Sequence, residues 1–116
     1  MAVKRRVAYV AGPYRAPTAR GVVENIRRAE AVALELWARG YVALCPHKNT
    51  ALFDGALPDS AWLDGDLELL RRCDLVVCTE DYQRSSGARR EVELAFELNI
   101  PVFENLHDVP AVAGWE

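Results

Sequence analysis

The chain has 116 residues, of which 51% are hydrophobic, and its 14 basic and 17 acidic residues give a net charge of −3. This balance argues against bulk nucleic-acid binding, which needs a basic surplus, and no apolar run is long enough to predict a membrane span. The cysteines Cys45, Cys73 and Cys78 form an odd set without CxxC spacing, so we predict neither a disulfide framework nor a zinc site. We expect one soluble, cytoplasmic domain over residues 1–116.

The predicted strands are short apolar runs at Val7–Ala11, 41–44, Leu75–Cys78 and 100–103. Between them, apolar residues recur at helical spacing over 22–36, 61–72 and 85–98. Gly40 marks the end of the first helix, and residues 47–58 show no period, so we predict a long loop there. The last dozen residues are ambiguous and could hold one short further element.

Apolar strands that alternate with helices predict a doubly wound α/β domain. We expect a parallel sheet of four to five strands, of the flavodoxin or Rossmann-like type, with helices on both faces. In such sheets ligands bind beyond the carboxyl ends of the strands. This rule brings together the loops 12–18, 46–58 and 80–87, which carry the residues of most chemical interest.

Two hydroxyl groups and a glycine, in Ser85, Ser86 and Gly87, stand where the last helix is predicted to begin. A helix N-terminus has free N–H groups and the positive end of the helix dipole, so this segment predicts an anion-binding site. Glu91 follows, and its neighbours on the same helix face are all small or apolar. The sequence therefore predicts an inward-facing carboxylate just behind an anion site.

Asp66 lies on the apolar stripe of the middle helix. Its neighbours at i−4, i−3, i+3 and i+4 are all apolar or aromatic: Trp62, Leu63, Leu69 and Leu70. Such surroundings are predicted to raise its pKa and to suit it to donate a proton. The alternative is a structural carboxylate that accepts a hydrogen bond from a nearby loop. For Glu91 the alternative is an ion pair with Arg15, Arg89 or Arg90.

Two inward carboxylates on separate helices suit the cleavage of a glycosidic bond, because one can attack the anomeric carbon while the other protonates the leaving group. Arg15, in the first loop, is expected to clamp a phosphate. Gly12 is expected to let the backbone approach the ligand. His47 could contact the base or phosphate, or be an ordinary polar loop residue. Trp62 is predicted to belong to the core, the alternative being a platform on which a base stacks.

Three segments carry a family resemblance: residues 9–15, Asp66-Leu67 ahead of residues 74–77, and the pattern Ser85-x-Gly87-Ala88-x-x-Glu91. On the basis of these segments the chain resembles the nucleoside 2-deoxyribosyltransferase superfamily, and the resemblance covers nearly its whole length. The similarity is strongest to its small members that hydrolyse 2′-deoxynucleoside 5′-monophosphates, and to a group of uncharacterised bacterial and phage proteins. Arg89 and Arg90 depart from the pattern of the related hydrolases and could alter the mouth of the pocket.

The resemblance implies that Glu91 attacks C1′ and forms a covalent glycosyl-enzyme intermediate, while Asp66 handles the proton on the departing base. Resolution by water makes a hydrolase, resolution by a second base makes a transferase, and neither needs a metal or organic cofactor. The resemblance also implies a homo-oligomer, a dimer or larger, acting on a small-molecule nucleoside or nucleotide. The predicted substrate-binding residues are Tyr9, Gly12, Tyr14, Arg15, His47, Ser85, Ser86 and Gly87.

Two other functions remain open at this point. One is a binding module that holds a nucleotide or sugar phosphate without turnover, although the presence of both Glu91 and Asp66 argues against it. The other is a glycosidase that acts on ribonucleotides or on a nucleotide-derived signal, because an anion site with a glutamate does not itself distinguish the sugar.

Overall fold

Four strands and four α-helices make up the computed structural model, which describes residues 4–115. Strands β1 to β4 are Val7–Ala11, Val42–Leu44, Leu75–Cys78 and Val102–Phe103. Helices α1 to α4 are Ala19–Ala38, Pro46–Asn49, Asp59–Arg71 and Ser86–Glu97. Two short 3-10 turns, Tyr82–Arg84 and Leu106–Asp108, precede α4 and follow β4.

The strands form one parallel sheet in the order β2-β1-β3-β4. Helix α1 packs on one face of the sheet, and α3 and α4 pack on the other. The predicted doubly wound α/β architecture, with helices on both faces, is therefore confirmed, and the described residues supply four strands.

The sequence of the central strand β1 is mainly apolar because both faces of the strand are covered. Successive side chains of a strand point to opposite faces, and here both faces are covered. Ala8 and Val10 pack in the cluster that contains α1, while Tyr9 and Ala11 pack in the cluster that contains α4. Tyr9 is the polar exception, and a buried tyrosine hydroxyl needs a hydrogen-bond partner.

Some elements differ from the sequence prediction. The long loop predicted over residues 47–58 is wrong at its start, where α2 forms, because Pro46 at the first helical position has a backbone angle already suited to a helix. Helix α3 begins at Asp59, two residues before the predicted start, and Ser85 caps α4 rather than belonging to it. The 3-10 turn Leu106–Asp108 is the short further element expected near the end of the chain.

The segment after β4 packs back against the connection between α1 and β2. The Tyr41 hydroxyl donates to the Pro110 carbonyl at 2.6 Å, and Arg39 donates to the Val109 carbonyl at 2.7 Å. This anchor lies at the amino ends of the strands, away from the edge where ligands are expected. None of the helices within residues 4–115 combines the length and the apolar character needed to cross a bilayer.

Candidate active site

The loops that follow β1, β2 and β3 enclose a cleft of about 840 Å³ at the carboxyl edge of the sheet, where a doubly wound fold places its ligands. All of the site residues predicted from the sequence line this cleft, with the exception of Tyr9. The Tyr9 side chain instead hydrogen-bonds to Glu91, which does line it. The nominated residues that line it are Gly12, Tyr14, Arg15, His47, Asp66, Ser85, Ser86, Gly87 and Glu91. The fold thus brings together residues that are far apart in the sequence.

Glu91 is buried in the wall of the cleft, with 7% of its surface exposed. The hydroxyl of Tyr9, a fully buried residue of β1, donates a hydrogen bond to Oε2 of Glu91. Burial raises the pKa of Glu91 to about 8, the hydrogen bond from Tyr9 acts in the opposite direction, and the negative charge of Asp66 adds to the increase. Glu91 is therefore fixed in position and sensitive to the charge of its neighbours.

The arginines considered as ion-pair partners of Glu91 all bind elsewhere. Arg15 pairs with Asp59. Arg89 donates to a backbone carbonyl at 2.6 Å, and Arg90 lies 3.8 and 3.5 Å from two glutamates of its own helix. The ion-pair interpretation of Glu91 is therefore wrong. Arg89 and Arg90 also lie outside the lining of the cleft, so the expectation that they shape its mouth has no support from the geometry.

Asp66 lines the same cleft from α3. Its side chain is partly buried, and burial raises its pKa to about 6. No hydrogen bond within the described residues contributes to this shift, so the alternative of a structural acceptor gains no support. A carboxyl group with a pKa in this range is suited to donate and to accept a proton near neutral pH.

The start of α4 forms one end of the cleft. Oγ of Ser85 accepts a hydrogen bond from the Ala88 N–H at 3.1 Å, so this hydroxyl caps the helix. Ser86 and Gly87 lie in the first turn, where backbone N–H groups have no partner in the helix. A Cβ atom on Gly87 would meet only Ser85 Oγ, at 3.7 Å, so packing within the protein does not require glycine there. The glycine leaves open space beside the predicted anion site.

Gly12, by contrast, is required by the fold. A Cβ atom at this position would lie 2.6 Å from both Cγ2 and Oγ1 of Thr79, the residue that follows β3. Thr79 is buried, and its N–H donates to the Ala11 carbonyl at 2.9 Å. Close approach between the ends of β1 and β3 thus explains this glycine, whereas the sequence suggested close approach to a ligand.

Tyr14 and Arg15 connect the first loop to the segment before α3. The Tyr14 hydroxyl donates to Asp54 at 2.7 Å and accepts from the Leu52 N–H at 2.9 Å. Arg15 forms its ion pair with Asp59 while its side chain is 60% exposed. Exposed ion pairs of this kind are weak, so an anionic ligand could replace Asp59 as the ion-pair partner of Arg15.

His47, a residue of α2, holds the first loop in position. Its ring is buried, and Nε2 lies 3.1 Å from the Gly12 carbonyl and 2.9 Å from the Pro13 carbonyl. Both partners are acceptors, so we assign the proton to Nε2. Burial lowers the pKa of His47, which favours the neutral ring. His47 lines the cleft, but its donor nitrogen is engaged by the backbone.

The sequence prediction missed Asn25, which holds the same loop from α1. Asn25 is buried, and its Nδ2 donates to the carbonyls of Tyr14 and Arg15 at 3.1 and 3.2 Å. A signal was present, because Asn25 lies on the apolar stripe of α1, with Val22 at i−3 and Ala29 at i+4. This signal is weaker than the one at Asp66, because Arg28 at i+3 of Asn25 is charged.

Two further arginines that the prediction missed, Arg28 and Arg84, also line the cleft. Their guanidinium groups lie 3.5 and 3.6 Å from the same oxygen, Oδ2 of Asp81. That oxygen is buried and accepts no hydrogen bond from residues 4–115. Arg84 directly precedes the helix cap Ser85, so these cations add positive charge to the anion end of the cleft. No sequence pattern connects α1 with this loop; only the fold does.

Trp62 was expected in the core and lies instead in the wall of the cleft. The reason is the position of α3, whose only buried residue is Leu70 near its C-terminal end, so the first turn extends over the carboxyl edge of the sheet. The Trp62 ring contacts Phe53 with 6.0 Å between ring centroids and an interplanar angle of 54°.

The described residues contain no group of three or more His, Cys, Asp or Glu side chains that could hold a metal ion. The cysteines are free thiols. Burial raises the pKa of Cys73 to about 11 and that of Cys78 to about 12, so both are protonated and unreactive at neutral pH.

A model of the family described as Domain of unknown function (DUF7768) matches residues 6–105 of the chain. The chain belongs to this family. No curated protein matches the sequence.

Two solved structures are similar to this DUF7768 chain. One is a 2-deoxyribosyltransferase from the psychrotolerant bacterium Bacillus psychrosaccharolyticus, with 19% identity and a TM-score of 0.59 over 83% of this chain and 69% of that one. The other is a conserved protein from Enterococcus faecalis V583, with 23% identity and a TM-score of 0.60 over 85% of this chain and 62% of that one. At these identities the similarity establishes the fold, and at that level it confirms the resemblance drawn from the sequence.

Proposed function

We propose that the protein cleaves the N-glycosidic bond of a nucleoside or deoxynucleoside, or of its 5′-monophosphate, through a covalent glycosyl-enzyme intermediate. The observation that carries this proposal is the buried Glu91, hydrogen-bonded by Tyr9, in the wall of a cleft that Asp66 also lines. Glycoside cleavage needs two carboxyl groups with different roles. The same fold in a 2-deoxyribosyltransferase supports this class of reaction.

In the first step, the ionised carboxylate of Glu91 attacks C1′ of the sugar while Asp66 transfers its proton to the departing base. The bond between C1′ and the base nitrogen breaks, its electron pair stays on the base, and an ester bond forms between C1′ and Glu91. Because Tyr9 binds Oε2, we assign the attack to Oε1 of Glu91.

In the second step, water or a second base attacks C1′ of the intermediate and the ester bond breaks. Asp66 is now ionised and takes a proton from the incoming group, while Glu91 leaves as a carboxylate that Tyr9 stabilises by its hydrogen bond. Water gives hydrolysis and a second base gives base exchange. Both routes return the enzyme to its starting protonation state.

The pH range of activity depends on the single proton that Glu91 and Asp66 hold between them. With pKa values of about 8 for Glu91 and about 6 for Asp66, the pair holds one proton between these values. Because Glu91 has the higher pKa of the two, the proton lies mainly on Glu91, and the reactive form is the minor one that carries the proton on Asp66. A developing positive charge at C1′ favours the reactive form, because a nearby cation lowers the pKa of Glu91.

The anion end of the cleft supports a substrate with a 5′-phosphate. The first turn of α4 around Ser86 and Gly87 offers N–H groups, and Arg28 and Arg84 offer guanidinium groups. Glu91 follows Gly87 by four residues, or about 6 Å along the helix axis. This spacing would let a phosphate bind at the start of α4 while C1′ of the same nucleotide reaches Glu91. Arg15 would join the phosphate by leaving Asp59.

A homo-oligomer stays part of the proposal, on the strength of the family resemblance. Apolar side chains at the segment before α3 support it, since Leu52, Phe53 and Leu57 are 76%, 52% and 54% exposed beside the cleft. Light scattering coupled to size exclusion measures the mass in solution. A mass of one chain at all concentrations would contradict this part.

The experiment that tests the function is incubation of the purified protein with a panel of deoxyribo- and ribonucleosides and their 5′-monophosphates, followed by chromatography for free base. We expect base release by the wild type and none by Glu91→Gln. A second base added to the reaction separates the two routes, because base exchange then yields a new nucleoside.

The binding-module alternative predicts a different result. It predicts no free base from any substrate with the wild type, together with ligand affinity that Glu91→Ala leaves intact. The ribonucleotide alternative predicts base release that is confined to the ribose half of the panel. The same panel therefore separates turnover from binding and shows which sugar the protein accepts.

A further inference from the structure

The indole N–H of Trp62 is a buried hydrogen-bond donor beside the cleft. Nε1 is shielded from solvent and donates no hydrogen bond within residues 4–115. Buried polar groups in native proteins nearly always have a partner, and a specific exception calls for an explanation. By contrast, the indole N–H of Trp115 donates to the Trp37 carbonyl at 2.5 Å.

The location of this donor indicates what it is for. Trp62 lines the cleft and precedes Asp66 by four residues on α3, so the two side chains are neighbours on one helix face. If Asp66 protonates the departing base, as the proposed function requires, the base lies within hydrogen-bond reach of Asp66. It then also lies beside Trp62.

The orientation of the ring decides how Trp62 can contact a base. An indole N–H lies in the plane of the ring, so one ring cannot both stack on a base and donate this hydrogen bond to it. Phe53 already packs against Trp62, with 6.0 Å between ring centroids. This arrangement favours contact through the N–H edge over stacking.

We propose that Trp62 recognises the base of the substrate by donating its Nε1–H to an acceptor on the edge of that base. This inference rests on the proposed function and names its substrate class: nucleosides or nucleotides whose aromatic base presents a ring nitrogen or carbonyl oxygen toward Trp62. Because Nε1 is shielded in the unliganded protein, base binding through this donor requires a local movement of side chains at the cleft wall.

This arrangement makes Trp62 a specificity-determining residue. A site that reserves a buried donor selects against a base without the matching acceptor, because the donor would then remain unpaired in the complex. Asp66 and Trp62 together contact two atoms of the same base. Asp66 protonates one atom, and Trp62 donates a hydrogen bond to the other.

The first test compares Trp62→Phe with Trp37→Phe. Trp62→Phe keeps an aromatic ring and removes the N–H, while Trp37→Phe is the control on α1, at a position that does not line the cleft. We expect Trp62→Phe to lower kcat/KM for the preferred substrate about five- to tenfold, as the loss of one neutral hydrogen bond does, and to reduce the discrimination between bases. Trp37→Phe should change neither. An unchanged order of preference in Trp62→Phe would overturn the inference.

The second test observes the donor directly and needs no turnover. The wild type has three tryptophans, so a ¹⁵N-labelled sample gives three indole N–H signals; Trp37→Phe and Trp115→Phe assign two of them, which leaves the third to Trp62. The probes are adenine, hypoxanthine, cytosine and thymine as free bases. We expect at least one base to shift the Trp62 signal downfield at saturation and to leave the Trp115 signal in place. A Trp62 signal that no bound base moves would overturn the inference, even if Trp62→Phe failed to fold.

The two tests keep this inference separate from the proposed function. A shift of the Trp62 signal by a base, with no cleavage of any nucleoside, supports base recognition and contradicts the proposed function. Cleavage with an unmoved Trp62 signal and unchanged base preference supports the proposed function and contradicts base recognition. Neither cleavage nor binding of any probe contradicts both.

Discussion

The hydroxyl of Tyr9 donates a hydrogen bond to the Glu91 carboxylate, and both side chains are buried between β1 and α4. Tyr9 comes from the central strand and Glu91 from the second turn of the helix that packs on it, so their contact depends on the docking of α4 onto the sheet. The bond opposes the effect of burial on the pKa of Glu91, because it stabilises the ionised form. This relationship makes Tyr9 a positioning residue for the proposed nucleophile.

Tyr9→Phe should lower kcat/KM for base release about ten- to hundredfold, the usual range for a lost hydrogen bond to a charged group. The phenyl ring keeps the packing of β1, so the loss reports on the hydroxyl. The variant should also move the alkaline limb of the pH profile upward, because Glu91 loses the bond that lowers its pKa. Steady-state kinetics from pH 5 to 10 measures both effects.

Tyr41→Phe is the matched control for this variant. The Tyr41 hydroxyl is bound to the Pro110 carbonyl at the opposite edge of the sheet. Its loss should leave kcat/KM unchanged within about twofold. Equal effects of the two substitutions would mean that Tyr9 acts through stability alone.

The wild-type pH profile of kcat/KM should be bell-shaped, with limbs near pH 6 and pH 8. The reactive form carries one proton on the carboxyl pair, and the pKa values of about 6 for Asp66 and about 8 for Glu91 bound the range in which one proton is present. Activity falls below this range because both groups are protonated, and above it because neither is. In Asp66→Asn the profile should keep only a rise with pH, as Glu91 ionises, so a full bell in that variant would contradict the assignment.

Glu91 should also limit the stability of the fold at alkaline pH. Its pKa rises from an ordinary value of 4.5 to about 8 on folding, so its favourable contribution is complete below pH 4.5 and is lost as the pH rises through 8. Glu91→Gln removes this titration. We expect the variant to gain on the order of 3 kcal/mol over the wild type at pH 9, and little at pH 5.

Urea unfolding of both proteins at the two pH values measures this difference. The comparison cancels the titration of every group that does not interact with Glu91, because the two proteins share those groups in the same surroundings. A stability difference between the proteins that does not change with pH would show that Glu91 is not buried as described.

His47 should support binding more than chemistry. His47→Ala leaves the carbonyls of Gly12 and Pro13 without their donor, which should destabilise the fold by about 1–3 kcal/mol. Because His47 holds the loop that carries Tyr14 and Arg15, we expect KM to rise more than kcat falls. His47→Gln retains an N–H donor and should recover part of both losses. A collapse of kcat in both variants at unchanged KM would instead make His47 a catalytic residue.

The sequence predicted the fold well because the physical signals for it are local. Strands such as Leu75–Cys78 are covered on both faces and are therefore unbroken apolar runs. The two carboxyl groups were found because a helix places residues i±3 and i±4 beside each other, so the surroundings of Asp66 and Glu91 can be partly derived from their neighbours in the chain.

The remaining features of the site depend on contacts between distant residues. His47 binds the carbonyl of a residue 35 positions earlier, and Arg15 pairs with a residue 44 positions later. No periodicity reports such contacts, because they arise only when the loops meet at the edge of the sheet. Trp62 was misassigned for a related reason: a large aromatic side chain is usually buried, but α3 extends past the sheet that would have covered it.

The central claim is that Glu91 forms a covalent bond to the sugar, and mass spectrometry of the protein, intact and after proteolysis, tests it most directly. A 2′-fluoro nucleotide with a good leaving group slows both steps, because fluorine destabilises the positive charge that develops at C1′, and it allows the intermediate to accumulate. We predict that the wild type gains the mass of the fluorinated sugar phosphate on the peptide that contains Glu91, and that Glu91→Gln gains none. Base release by Glu91→Gln at the wild-type rate, with no adduct on the wild type, would contradict the account.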